Sequence, residues 1–480
     1  MTLSTLNDDI LRIIAEMLFV AQCIPLSIVS RDLHAITRQY VFASITIRSE
    51  EQLVKMHDHP IRNVDNRLIW PRELTIYGPT ENARWECPAI DALVGIFEHT
   101  RELKALGLHW SEAMIDCDAR IGEHLAALPN LSDIRLLAVG PTTLAVLCKM
   151  VSRLEKACLS STMFSSNRTL RYIAKAAVLG NVKRLRLRNF QFIVLSELQL
   201  LPKLAGAHPQ LEVLDLDRSA VYSCLILFPN LRRLTILNSK HNGENRLQRP
   251  GHPVEQRHLN YLSVEPTYLH LIPSLGIHSD YLRLVHTESQ DFSAIDILDD
   301  FVRTAAVLEL SLNSTRIECY TGACTILARK ISAEVSKTRY FILTTQWQSY
   351  SASRWMQTIS SSLLSSSQIL CIRVHVTHPN EGEPSRETWL ALLQRLQSVH
   401  ISSVPSLRFY FQHIEGTDNP RIPSVPSFST WGRVEGDGGD RTLQPIPNWQ
   451  GERIHRYLQS PEFCRTLHFD EETALQYSGR

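Results

Sequence analysis

Leu211-Glu212-Val213-Leu214-Asp215-Leu216 is the clearest copy of a frame, apolar-x-x-apolar-x-apolar, that returns along most of this chain. Leu103-x-x-Leu106-x-Leu108, Leu131-x-x-Ile134-x-Leu136, Leu154-x-x-Ala157-x-Leu159 and Val182-x-x-Leu185-x-Leu187 precede it. Leu231-x-x-Leu234-x-Ile236, Leu259-x-x-Leu262-x-Val264 and Val307-x-x-Leu310-x-Leu312 follow it. Weaker copies stand at Leu74-x-Ile76, Leu282-x-Leu284, Ile342, Ile369-x-x-Ile372-x-Val374 and Phe409-x-Phe411. The interval is irregular and centres on ~28 residues. The alternating end of each copy predicts a short strand with its apolar residues on one face, and the residues between copies return as a helix or turn. One copy cannot bury its own apolar face, whereas stacked copies share a parallel sheet and a continuous core. Leu128-Pro129-Asn130-Leu131, His208-Pro209-Gln210-Leu211 and Phe228-Pro229-Asn230-Leu231 put a proline just ahead of three of these strands, where it stops the preceding helix.

A frame of this form and period resembles leucine-rich repeats. The resemblance implies an α/β solenoid over residues 46–412, with a parallel sheet on the concave side and helices or turns on the convex side. That family carries Asn or Cys three residues beyond the last strand leucine; here Ser111, Thr162, Ser219, Ser239, Thr267, Thr287 and Thr315 stand there, each able to satisfy a buried turn. The residues expected on the concave side are Thr75, Ala105, Arg135, Cys158, Arg186, Asp215, Thr235, Ser263, Arg283 and Ser311, a polar and mixed row. Arg184, Arg186 and Arg188 beside Asp215, with Arg135 and Arg283, are the candidate target-binding residues, suited to an acidic or phosphorylated segment.

Ahead of the repeats, Asn7 followed by Asp8 and Asp9 signals a helix start, with a side-chain cap and acids at the positive end of the dipole. Ile10, Ile13, Ile14, Met17 and Leu18 then recur at helical spacing, on a segment too small to bury them unaided. Leu6, Asp9, Ile10, Ile13, Ile14 and Leu18, followed by Leu26, Ile28, Val29, Ser30 and Arg31, resemble an F-box over residues 1–45, with Tyr40 to Ile45 as its exit into a first strand. The pattern departs from that family at Asn7, Gln22 and Cys23. The two resemblances together make the chain similar to the fungal-type F-box proteins with leucine-rich repeats. They imply a substrate-recognition subunit of a cullin-RING ubiquitin ligase, with Leu6, Ile10, Ile13, Leu26, Ile28 and Val29 meeting the Skp adaptor and, through it, a cullin. A non-catalytic repeat scaffold, whose N-terminal hairpin caps the repeats or binds the adaptor outside a ligase, is the alternative. Exposure of these apolar positions separates docking from capping.

The 480 residues carry 50 Lys and Arg against 49 Asp and Glu, so no global field draws the chain to nucleic acid or to an anionic membrane. No apolar run is long enough to span a bilayer, and the N-terminus lacks the pattern of a secretory signal, so a cytoplasmic or nuclear location is expected. The 10 cysteines and 19 histidines are scattered, with no zinc spacing, and the chain holds no Gly-x-Ser-x-Gly, His-Glu-x-x-His or phosphate-loop motif. Neither a cofactor, a metal nor catalysis is expected. Residues 413–448, rich in Pro and Gly, read as a flexible segment. Residues 449–480 read as a C-terminal cap, with Ile454, Leu458, Phe463, Leu467 and Phe469 covering the last repeat.

Overall fold

The computed structural model describes residues 7–18, 20–62, 71–79, 85–161, 169–190, 208–219, 228–237, 257–265, 276–286, 304–312, 337–346, 368–377, 391, 394, 397–398, 400–402, 404–414, 428–436 and 440–478. Leu6, Thr162, Ser239, Thr267, Thr287 and Thr315 lie outside them. The chain divides into two compact units, Met1–Leu231 and Arg232–Arg480. Among the described residues no helix is long and apolar enough to cross a membrane.

The first unit opens with three helices, α1 (Asp8–Met17), α2 (Val20–Ser27) and α3 (Arg31–Val41). Asn7 caps α1 by accepting from Asp9 N at 3.2 Å, and Ser30 caps α3 by accepting from Leu33 N at 3.2 Å. Seven strands follow: β1 (Ser44–Ile47), β2 (Glu73–Tyr77), β3 (Ala105–His109), β4 (Asp133–Val139), β5 (Lys156–Ser161), β6 (Arg184–Arg188) and β7 (Val213–Asp217). Each is parallel to the next. Parallel strands need crossovers. Those described are α4 (Glu50–Arg62), α5 (Cys87–His99), α6 (Ser111–Cys117), α7 (Ala119–Ala127), α8 (Pro141–Leu147), α9 (Thr169–Lys175) and a 3-10 turn at Ala177–Asn181. Tyr40 and Val41, expected in the exit strand, belong instead to the last turn of α3.

The register aligns the repeat frame. Leu74, Leu106, Ile134, Ala157, Leu185 and Leu214 form one row across the sheet, and Ile76, Leu108, Leu136, Leu159, Leu187 and Leu216 form the next. None of the twelve is more than 4% exposed. A local device recurs two residues beyond the last leucine, where Trp110, Ala138, Asn189 and Arg218 all adopt positive φ between 53° and 62°. A left-handed residue with a Cβ costs roughly 1 kcal/mol. Buried serines just beyond two of these turns satisfy neighbouring backbone: Ser111 Oγ donates to Leu137 O at 3.0 Å, and Ser219 Oγ donates to Leu187 O at 3.2 Å and accepts from Phe190 N at 3.1 Å. Both stand three residues beyond the last leucine of their strand.

Glu112 ties one crossover to the next. Its carboxylate accepts from Gly140 N, Thr142 N and Thr143 N at 2.8–2.9 Å, which satisfies the open N-terminus of α8. Glu112→Ala leaves those donors without an acceptor and is expected to destabilise the first unit by about 2 kcal/mol. Urea denaturation checks this, and a midpoint unchanged from the wild type would show that the contact carries no stability.

In the second unit β8 (Arg233–Leu237), β9 (Arg257–Val264), β10 (Ile277–His286), β11 (Val307–Leu312), β12 (Tyr340–Gln346), β13 (Cys371–Thr377) and β14 (Phe409–Ile414) are parallel in chain order. β15 (Phe428–Glu435) and β16 (Thr442–Ile446) continue the sheet antiparallel. These two strands, of 8 and 5 residues, lie within 413–448, the segment expected to be flexible. Gly436 takes φ +94° where the chain leaves β15, a conformation open to glycine at little cost.

Register also corrects three frame assignments. Leu308 and Leu310, after Ala305, align with Leu282 and Leu284, so the copy begins at Ala305 rather than Val307. Tyr410 and Gln412 align with Ile372 and Val374, which puts Phe409 and Phe411 on the opposite face. Phe341 and Leu343 flank Ile342, which sits in the polar row between Glu309 and Arg373. In that row Gly107 replaces Ala105, and Glu309 replaces Ser311. In β11 to β14 both faces carry apolar residues, so alternation alone cannot choose between them.

The reason lies at the C-terminus. α10 (Asn448–Leu458), α11 (Pro461–Thr466) and α12 (Glu471–Gln476) lie on the face of the sheet opposite the leucine rows. Ile454, Tyr457, Leu458 and Phe463 share a core there with Tyr281, Val307, Tyr340, Ile342, Phe409, Phe411 and Trp431. Trp431 stacks on Phe411 with ring centroids 4.0 Å apart, and Gly451 lets the helix backbone reach the indole. The C-terminal segment therefore covers a sheet face, not simply the edge of a last repeat.

Candidate docking faces

α1 carries two apolar stripes. Leu11 and Ala15 point inward, and Leu11 forms a small core with Leu33 and Ile36 of α3. Cys23 of α2 is fully buried and its Sγ lies 3.5 Å from Ala15 O, with the thiol pushed up by burial. The second stripe points out: Ile10 is 47% exposed, Ile13 58% and Met17 80%. At the other end of the module Ile28 is 82% exposed and Val29 66%. Ile10, Ile13, Ile28 and Val29 thus remain open within the chain, while Leu26 is half-buried and Leu6 lies outside the described residues. Met17, Ile24 and Phe42 were not among the residues expected to meet the adaptor, yet they are exposed as well. For Met17 the signal was the helical spacing from Ile10 and Ile13. A large aliphatic side chain gains roughly 1.5–3 kcal/mol on full burial, so this module can gain affinity from a partner that covers it.

A second face is the polar side of β4 to β7. Arg135, Cys158, Arg186 and Asp215 are direct neighbours across it. Arg184 pairs with Asp215 at 3.2 Å, and Arg188 Nε donates to Asp217 at 2.6 Å. Arg135 approaches Asp133 at 3.8 Å while its side chain stays 71% exposed. Arg186 is exposed and enters no ion pair among the described residues. The Arg184–Asp215 and Arg135–Asp133 pairs, with their arginines exposed, contribute ~0–1 kcal/mol each, whereas Asp217 is buried beneath Arg188. Burial pushes the Cys158 thiol up, an effect that Arg186 and Arg135 partly oppose.

Arg283, grouped with these by sequence, belongs to the second unit. There it lies 3.2 Å from Glu309, which also accepts from Tyr281 Oη at 2.5 Å and Thr344 Oγ1 at 3.3 Å. Beside this cluster His455 of α10 joins the C-terminal helices to the sheet. Its Nε2 lies 2.5 Å from Arg373 Nη1 and its Nδ1 2.6 Å from Tyr340 Oη. Because the guanidinium can only donate, the imidazole is neutral with its proton on Nδ1, which donates to the tyrosine. Burial, then Arg373 and Arg456, holds His455 down to about 3. The strand positions Arg373, His375 and His413 were missed by sequence because the leucine frame directs attention to the other face.

Among the described residues no group of three or more His, Cys, Asp or Glu side chains is arranged to hold a metal ion. The chain matches no family model, and no curated protein matches its sequence.

Proposed function

We propose that this chain is the substrate-recognition subunit of a cullin-RING ubiquitin ligase. α1 to α3 dock on the Skp adaptor as an F-box, and the repeat strands hold the target. The observation that supports this reading is the exposure of Ile13, Met17, Ile28 and Val29, which a helical hairpin serving only as a cap would bury. The chain forms no bond itself. It raises the effective concentration of a target lysine near the charged conjugating enzyme, turning a bimolecular encounter into a local one. The polar face of β4 to β7 is the target surface under this reading, with Arg135, Arg184, Arg186, Arg188 and Asp215 in reach of a partner.

Calorimetric titration of the full chain with purified Skp adaptor tests the proposal. Ile28→Asp combined with Val29→Asp is expected to weaken binding at least 100-fold while leaving the denaturation midpoint within about 0.5 kcal/mol, since both side chains face solvent. Failure of the unaltered chain to bind would overturn the docking reading and leave a repeat scaffold.

A further inference from the structure

On the polar face of the second unit, one guanidinium has no ion pair among the described residues. Arg373 is half-buried on β13, and its Nε is fully buried with no hydrogen-bond partner. Nη1 is engaged by neutral His455, and the guanidinium carbon lies 4.8 Å from the Phe411 ring centroid. An imidazole and a ring face solvate a cation, but neither cancels its charge. Among the described residues no carboxylate lies within ion-pair distance of it; Glu452 of α10 acts on the Tyr340 hydroxyl without pairing with Arg373. Glu309 stands in the same row two strands away, already shared by Arg283, Tyr281 and Thr344.

Besides Glu309 and Glu452, the titratable neighbours of this guanidinium include two imidazoles and a second guanidinium. His375, on the same face two residues further along β13, pairs in register with Thr344 and His413. The two imidazoles meet edge to face at 4.8 Å. Burial holds His375 down to about 4, and His413, Arg373 and Arg283 push in the same direction. Arg283 extends toward this area, with Nη2 3.4 Å from Ser311 Oγ, and keeps 35% of its side-chain surface exposed. With Nε enclosed and Nη1 engaged, Nη2 is left to donate to an oxygen of a carboxylate or a phosphate, and the hydroxyls of Ser311 and Thr344 can donate beside it.

We propose that Arg373, Arg283, His375 and His413 bind a small anionic group, a phosphate or a carboxylate, on the polar face of β10 to β14. The anion supplies the charge that Arg373 lacks, and Ser311 and Thr344 border it. This site is independent of adaptor docking by α1 to α3, so either reading can fail alone.

The full chain is titrated calorimetrically with inorganic phosphate and, separately, with N-acetylglutamate, at ionic strength held constant with chloride. Saturable binding of at least one is expected, and the tighter of the two assigns the class. Arg373→Gln is expected to raise its Kd at least 10-fold, whereas Arg153→Gln, at an exposed arginine of the first unit, leaves it unchanged. Since Arg373 also seats α10, Arg373→Lys serves as a second variant that keeps the charge and loses the fork; a several-fold loss is expected there. His375 resonances in histidine-labelled protein should titrate at higher pH with the anion bound. The absence of saturable binding to the wild-type chain, or binding unaltered in a folded Arg373 variant, would overturn the proposal.

Discussion

Gly451→Val is expected to unseat the C-terminal helices and destabilise the second unit by about 3 kcal/mol or more. A Cβ at this position lies 2.0 Å from Trp431 Cγ, well inside contact distance. The indole has little room to move, because it is 2% exposed and stacked on Phe411. α10 must therefore move outward, and Ile454, Tyr457 and Leu458, each no more than 3% exposed, lose their seats together. Urea denaturation followed by tryptophan emission reads the effect as a lower midpoint and a red-shifted native spectrum. Gly180→Ala is the matched control, since nothing lies within 4 Å of a Cβ there and its midpoint should hardly change. Equal midpoints for Gly451→Val and the wild type would show that the helices do not press on Trp431 as described.

Acidification from pH 7 to pH 4.5 is expected to cost the second unit several kcal/mol. His455 is held down to about 3, and His400 and His375 to about 4, burial being the first cause in each case. His400 is fully enclosed, with Nδ1 3.2 Å from Tyr410 Oη. The unfolded chain takes up these protons near pH 6.5, while the folded chain refuses them until about pH 4 or 3. Stability from these groups is therefore complete above pH 6.5 and falls as the pH drops below it. The slope is at most ~1.4 kcal/mol per pH unit for each histidine, and smaller for half-buried His375. Denaturation midpoints measured between pH 7 and 4.5 report the slope. His455→Gln can accept from Arg373 and donate to Tyr340 without titrating, so its profile should be flatter than that of the wild type. Parallel profiles for the two proteins would remove His455 from the account.

Much of the first unit was legible because its signals are local. Asn7, read as a cap from the sequence, accepts from a group two residues away. The leucine spacing of Leu106 and Leu108 or Leu214 and Leu216 sets the buried face, because side chains alternate along any strand. The exposed stripe of α1 was likewise implicit in Ile10, Ile13 and Met17, but whether a neighbour covers it is not a local property. The same holds for Arg135, Arg186 and Asp215. Sequence spacing named them, and only the strand register made them neighbours.

What the sequence determined alone is the repeated strand, its leucine face and the cap of the first helix, since each depends on periodicity or on contacts within one turn. Tertiary structure decided what lies on the other face. Phe409 and Phe411 read as a repeat frame until Trp431 and the C-terminal helices claim them. The Pro- and Gly-rich stretch becomes β15 and β16 because β14 offers an edge with which to pair. Arg373 and His455 meet across 82 residues of chain, and burial in that contact keeps the imidazole neutral. Such pairings depend on which elements become neighbours, and no local rule of spacing contains that information.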